Sequence, residues 1–255
     1  MPCRRIEITS EGRRLCAYAQ DILALRDRMM SNCSRQGHSI LSISASTIPS
    51  TYILPSVLRQ FGKERPDVYF TIHQSDSAGV QQGVKDGLSD LGLTGQKNED
   101  PELICQEFCR DQMVLITPVT PYFLERKEHP FDIRKLLDQP VILREKGSGS
   151  IKEADRYLQQ EGINEADLHV VARINDQEAI KNMVAGGLGI SFISLRAAKD
   201  IIEARRVLCF PLPEGVGERS FYVIQRKSDI TSDLRREFIR FLHGSFAGRE
   251  EACLT

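Results

Sequence analysis

Twice along this chain the spacing of apolar residues changes in the same order. Alternating or continuous apolar residues that suit a strand lead into a small-polar loop. Apolar residues three and four apart, which suit a helix with one buried face, follow it, and then another strand. The first run predicts strands over 41–45, 68–73 and 90–94 with helices over 51–62 and 78–87 between them. The second predicts strands over 140–144, 168–172 and 190–193 with helices over 151–161 and 177–185. Strands that alternate with helices require a parallel sheet and right-handed crossovers. The fold class is therefore α/β, with two Rossmann-like lobes.

The segments between and after these runs join the lobes. Strands are expected over 103–108 and 112–117, and the prolines at 118 and 121 mark a crossing from one lobe to the other. A strand over 219–226 returns to the first lobe, so the expected crossings lie near 116–120 and 215–220 and form a two-strand hinge. The first lobe then comprises 37–117 plus 219–246, the second 118–218, and 247–255 is a C-terminal tail.

Residues 1–36 differ from the rest. Thr9 or Ser10 is placed to cap a helix in which Leu15, Tyr18, Ile22, Leu25 and Met29 step by three and four, the spacing of a coiled-coil seam. Two heptads are marginal alone. The segment reads either as a dimerising helix or as one packed on its own domain, and the polar stretch SNCSRQGHS that follows separates it from the lobes and favours the dimer.

The sharpest chemical feature lies between Leu41 and Phe61. Ser44, Ser46, Thr47, Ser50 and Thr51 place hydroxyls where a strand ends and a helix begins, and Pro55, which has no N–H, belongs in that helix's first turn. The helix start is expected near Ser50 or Thr51. Hydroxyls and free amides there suit a small anion, although Ser and Thr also cap ordinary helices. Three further loops occupy equivalent strand ends, where open parallel sheets collect ligands. They are Ser75 to Ser77, Gly147 to Ser150, and Asn175 to Gln177. The GSGS sequence at 147–150 lacks the lysine of a phosphate-binding P-loop, and GGLG at 186–189 follows a helix instead of a strand, which makes it a helix cap and turn, not a dinucleotide fingerprint.

Composition narrows the function. The 34 Lys and Arg residues nearly cancel 35 Asp and Glu, so no global field marks a nucleic-acid or membrane binder. No apolar run reaches the ~20 residues that span a bilayer, and the first residues carry no signal-peptide core, which places the chain in the cytoplasm. The seven cysteines form no CxxC pair and fit reduced thiols; Cys105 and Cys109, four residues apart on a strand, stand ~13 Å apart. The five histidines are scattered, and no GxSxG, HExxH or Cys/His cluster is present. No metal, cofactor or catalytic site is implied, and the chain is not expected to be an enzyme.

The succession ITSEGRRLCAYAQDIL, SASTIPSTYILPSVLRQFGKERPDV, GVKDGLSDLGLTG, DQMVLITPVTPYF, REKGSGSIKEADRYLQQEGI and QEAIKNMVAGGLGISFIS resembles a LysR-type transcriptional regulator. The resemblance extends from about Arg5 to Phe246, and ASTIP and REKGSGS are similar to a branch associated with sulfur or selenium metabolism. It implies a linker helix followed by a two-lobed effector domain like a type 2 periplasmic binding protein. ITSEG matches the trailing edge of a winged helix-turn-helix, so the chain is expected to be the sensing and dimerising part of a longer DNA-binding regulator. The implied partners are a small-molecule effector, a second copy in a homodimer or homotetramer, and promoter DNA through the missing N-terminal domain. The implied effector residues are Ser46, Thr47, Ile48 and Ser77 in the first lobe, and Gly147, Ser148, Asn175 and Asp176 in the second. The hydroxyls and amides favour an anion and Asp176 favours an amine, which leaves ligand charge open. A solute-binding protein of a transport system is the alternative with this architecture; it would carry a signal peptide and no dimer helix.

Overall fold

The computed structural model describes residues 39–129, 132–145, 149–213, 215–227 and 232–247, together with residues 9, 11, 12, 15, 18, 19, 22 and 26. Gly147 and Ser148 lie outside the described residues, as does most of the expected N-terminal helix. Among the described residues of that helix, Thr9 Oγ1 accepts a hydrogen bond from the Gly12 amide, as a cap does, and Leu15, Tyr18 and Ile22 stand exposed.

The first sheet is built on β1 (Ser39–Ala45), flanked in parallel by β2 (Val68–Gln74) and β3 (Leu91–Thr94). Its other members are antiparallel: β9 (Glu218–Arg226) pairs with β3, and the long β4 (Leu103–Pro118) pairs with β9. The second group repeats this arrangement. Its strands β5 (Val141–Arg144) and β6 (Val170–Ile174) are parallel neighbours, and a parallel bridge from Val141 to Ile190 joins β5 to the segment entering β7 (Ser191–Ser194). The far half of β4 then pairs antiparallel with β7 and with β8 (Val207–Pro211). The strand orders β2-β1-β3-β9-β4 and β6-β5-β7-β4-β8 therefore match place for place, and β4 serves in both.

β4 changes partners between Gln112, opposite Glu218 in β9, and Met113, opposite Ser194 in β7. The first crossing thus precedes the prolines instead of lying at 116–120. The strands expected at 103–108 and 112–117 are one strand, interrupted by a register shift between Glu107 and Cys109. Pro118 ends it, and Pro121 opens helix α3 (Pro121–Lys127), where its missing N–H leaves no bond unmade.

The helices sit where their apolar stripes dictate. Helix α1 (Leu54–Glu64) presents Leu54, Val57 and Phe61 to β1, and the C-terminal helix α8 (Asp233–Phe246) buries Phe238 and Leu242 in the same core. Helix α2 (Ser77–Lys85) packs Val80 and Val84 over β3, where a Cβ added to Gly92 would come within 2.9 Å of Val80 Cγ1. In the second lobe, α4 (Ile133–Leu137) and α5 (Gly149–Gln160) cover β5 with Leu136, Tyr157 and Leu158. Helices α6 (Gln177–Ala185) and α7 (Leu195–Glu203) lie on the side toward the first lobe and share its core. The GGLG segment caps and turns as expected: Gly187 has φ +83°, and the Leu188 amide returns to the Met183 carbonyl.

Candidate functional site

The chain turns out of β1 differently from the expected helix cap. Helical geometry begins at Thr47 and Ile48 and passes through a π-helical turn, Pro49–Ile53, before α1 proper. Pro49 supplies the early proline, and Pro55 falls at the start of α1 instead. The wider turn, closed by the Leu54 amide on the Pro49 carbonyl, accommodates that second proline; π turns of this kind cluster at functional sites. No side chain caps this start. Ser50 and Thr51 lie within the helix, and Ser44 faces the other way, with its Oγ 2.7 Å from Ser89 Oγ in a buried hydroxyl pair.

Backbone hydrogen bonds fix the neighbours of this turn. The Ser46 amide donates to the Leu93 carbonyl at 2.8 Å, and the Ser75 amide donates to the Ala45 carbonyl at 3.1 Å. The carboxyl ends of β1, β2 and β3 therefore meet, and Ser46, Thr47, Ile48 and Ser77 belong to one rim of the first lobe. Ile48 is buried, whereas Ser46, Thr47 and Ser77 are partly exposed. Asp76 precedes Ser77 and accepts from the Gly79 amide, so the N-terminus of α2 already holds a carboxylate.

In the second lobe Asn175 and Asp176 are exposed at the end of β6. Asp176 caps α6 by accepting from the Glu178 amide at 2.8 Å. With Glu178 also in its first turn, α6 brings its own anions to its positive end. By contrast, the π turn of the first lobe and the first turn of α5 carry no acidic residue. Those two helix starts keep the electrostatic character that suits an anion.

The two rims touch through residues that the sequence pattern did not single out. Tyr52, in the π turn, donates its hydroxyl to Glu178 Oε1 at 2.7 Å. Lys181, 2% exposed, reaches both Glu178 and Asp200, and its ammonium stands 5.6 Å from the Tyr52 ring. Burial, then the hydrogen bond to Glu178, pushes the Tyr52 hydroxyl well above its usual pKa, so it remains a donor across the neutral range. Lys181 had one readable signal: it shares the buried stripe of α6 with Gln177, Ile180 and Val184. The pairing of Tyr52 with a residue 126 positions away had none.

Where β4 and β9 pass between the lobes, Asp111 and Arg219 lie directly opposite in register. Asp111 is fully buried and accepts from Arg219 Nε and Nη2 at 2.9 and 2.7 Å on one oxygen, and from Ser194 Oγ at 2.9 Å on the other. Ser194 in turn caps α7. One carboxylate thus ties both crossing strands to a helix of the second lobe.

Residues 34–247 match the family model described as LysR substrate binding domain. A probable RuBisCO transcriptional regulator of Trichormus variabilis is 26% identical over 257 residues, covering 96% of this chain and 74% of that protein. The phosphonates import ATP-binding protein PhnC of Anaeromyxobacter dehalogenans is 32% identical over 201 residues, 78% of this chain, and the match spans only 39% of that protein's length. Among solved structures, the regulatory domain of Synechocystis PCC6803 CcmR, in complex with 2-PG, superposes with a TM-score of 0.69 at 22% identity over 82% of this chain and 98% of that one. The two-lobed architecture is that of these effector-binding domains, and a transport solute-binding protein is not favoured. With the family model extending over both lobes and the crossing strands between them, the chain belongs to the LysR-type transcriptional regulators, as their substrate-binding domain.

Proposed function

We propose that this chain is the effector-sensing and dimerising part of a cytoplasmic, promoter-binding regulator, and that a small metabolite held between its lobes sets the orientation of paired subunits. The reading carries no catalytic step. The observation that supports it most directly is the π turn at Pro49–Ile53, which has no side-chain cap and faces α6 of the other lobe across the Tyr52–Glu178 bond. Ser46, Thr47, Ile48 and Ser77 would contact the ligand from the first lobe, and Gly147, Ser148, Asn175 and Asp176 from the second. Asp176 acts through the helix it caps. The complex of the CcmR regulatory domain with 2-PG supports a small-molecule effector. The lobes would be 37–117 plus 219–246 and 118–218, with the end of β4 from Met113 pairing into the second lobe's strands, preceded by the dimer helix in 1–36. A ligand shifts such an equilibrium only by its differential affinity for the closed and open forms.

A thermal-unfolding screen against small anions and amino-acid metabolites, with sulfur and selenium oxyanions included, tests the reading. A ligand at 100 times its Kd adds ~2.7 kcal/mol, seen as a rise of several degrees. Thr47→Ala is expected to weaken such a ligand by ~1–2 kcal/mol through loss of one hydrogen bond to a charged group. Undiminished binding by that variant places the ligand elsewhere.

The exposed Leu15, Tyr18 and Ile22 on one side of the N-terminal helix support a paired assembly. Ile22→Asp is expected to lower the sedimenting mass to that of a monomer while the lobes keep their melting temperature. A monomeric parent chain at micromolar concentration, with this segment intact, would count against the dimer.

A further inference from the structure

Two side chains at the second lobe's rim bury polar atoms that have no hydrogen-bond partner among the described residues. Arg144 ends β5 with its side chain 5% exposed and its Nε without a hydrogen-bond partner; its contact with Glu145 is a long 3.6 Å from Nη2 to a half-exposed carboxylate. Gln177, the first residue of α6, is 3% exposed, and neither its amide oxygen nor its amide nitrogen has a partner. The two sit at neighbouring strand ends. Arg144 lies opposite Ile174 in the parallel register of β5 and β6, and Gln177 follows Ile174 after the Asn175–Asp176 turn.

Groups of this kind are costly to leave unmet, and native proteins satisfy nearly all of them. Burial disfavours the charged form of Arg144, yet a guanidinium stays protonated and offers only donors. Its counterpart must be an acceptor, best an anion. Gln177 offers two donors on nitrogen and two acceptor positions on oxygen. A simple carboxylate would leave the Gln177 oxygen unmet, and an ammonium would leave its nitrogen unmet and be repelled by Arg144.

We propose that Arg144 and Gln177 together recognise a hydroxy acid, its oxyanion accepting from Arg144 Nε–H and its hydroxyl donating to and accepting from the Gln177 carboxamide. This rests on the reading of the cleft as an effector site and names the ligand class. More generally the ligand is an oxyanion whose neighbouring carbon bears a group that both donates and accepts, and a hydroxy acid is the smallest such molecule.

Matched pairs test it: glycolate against acetate, and lactate against propionate, at equal concentration and ionic strength in thermal unfolding of the full chain. Each hydroxy acid is expected to raise the Tm by about 2–4 °C more than its partner. Arg144→Met and Gln177→Leu are each expected to melt higher than the parent without ligand, because a buried unpaired group is gone, and to erase the difference within each pair. Equal shifts within the pairs, or no shift by any of the four acids, overturn the ligand class. Unliganded variants that melt lower than the parent show that the two side chains support the fold and overturn their assignment. The two readings fail separately. Shifts from the wider screen that Thr47→Ala abolishes and Arg144→Met leaves intact preserve the cleft and remove these residues from it, whereas a screen with no responding compound removes the cleft as well.

Discussion

Replacing Arg219 by methionine is expected to destabilise the chain by ~3–5 kcal/mol, because it leaves the Asp111 carboxylate, fully buried, with the Ser194 hydroxyl and a long 4.0 Å approach from Arg196 Nε in place of its two short guanidinium bonds. A buried ion pair adds little over an apolar pair of the same shape, whereas a lone buried charge is costly. The double variant Asp111→Leu with Arg219→Met is therefore expected to recover most of the loss. Urea unfolding of the parent, both single variants and the double gives the coupling directly. Additive single losses would show that the two side chains act independently and that the pair does not hold the crossing.

The location of that pair matters for the proposed switch. β4 pairs with β9 through Gln112 and with β7 and β8 from Met113 onward, and Asp111 lies beside the changeover. The Met113 amide bonds to the Gly217 carbonyl, so the chain enters β9 at the level where β4 changes partners. The Asp111–Arg219 pair keeps them in register, while the Tyr52–Glu178 bond joins the rims at the lips of the cleft. In the proposed switch the first contact would hold the axis and the second would break on opening. A ligand that competes for Glu178 or pulls on the π turn acts on the second without disturbing the first.

Much of the fold was legible because long periodic segments leave little choice. The stripe from Gln177 to Ala185 has the bounds that its spacing predicts. Short or ambiguous signals fared worse. Helix α3 spans seven residues beginning at Pro121, and a proline pair between apolar runs reads equally as a hinge. Helical geometry, expected from Ser50 or Thr51, begins at Thr47 and reaches α1 proper only at Leu54, since one proline was assigned the first turn and the sequence contains two, separated by a π turn that no periodicity announces.

The candidate site divides along the same line. Its hydroxyls, glycines and strand ends are local features, and Ser46, Thr47, Ile48 and Ser77 come together as a rim because β1, β2 and β3 are neighbours. Partnerships made in space left no local mark. Arg144 closes an otherwise apolar strand, and Gln177 occupies a buried helical position; each is a polar residue where the pattern calls for an apolar one. That mismatch was the readable sign.

The second large effect is expected at Phe61, in the core that joins the first lobe to the end of the chain. Its ring is fully buried, with centroids of Phe238 and Phe241 at 5.2 Å and of Phe70 at 6.1 Å, all edge-on. Phe61→Ala removes a shared partner of α1, β2 and α8 and is expected to cost ~3–5 kcal/mol, whereas Phe61→Leu, nearer in volume, should cost less than ~1.5 kcal/mol. The loss is expected to fall unevenly. The second lobe has a separate core around Leu115, Leu143 and Phe192, so hydrogen exchange in Phe61→Ala should quicken first in α8 and β2 and leave the amides of β5 protected. Uniform acceleration through both lobes would instead show that the crossing strands make them a single cooperative unit, in which case closure could not be tuned in one lobe without softening the other.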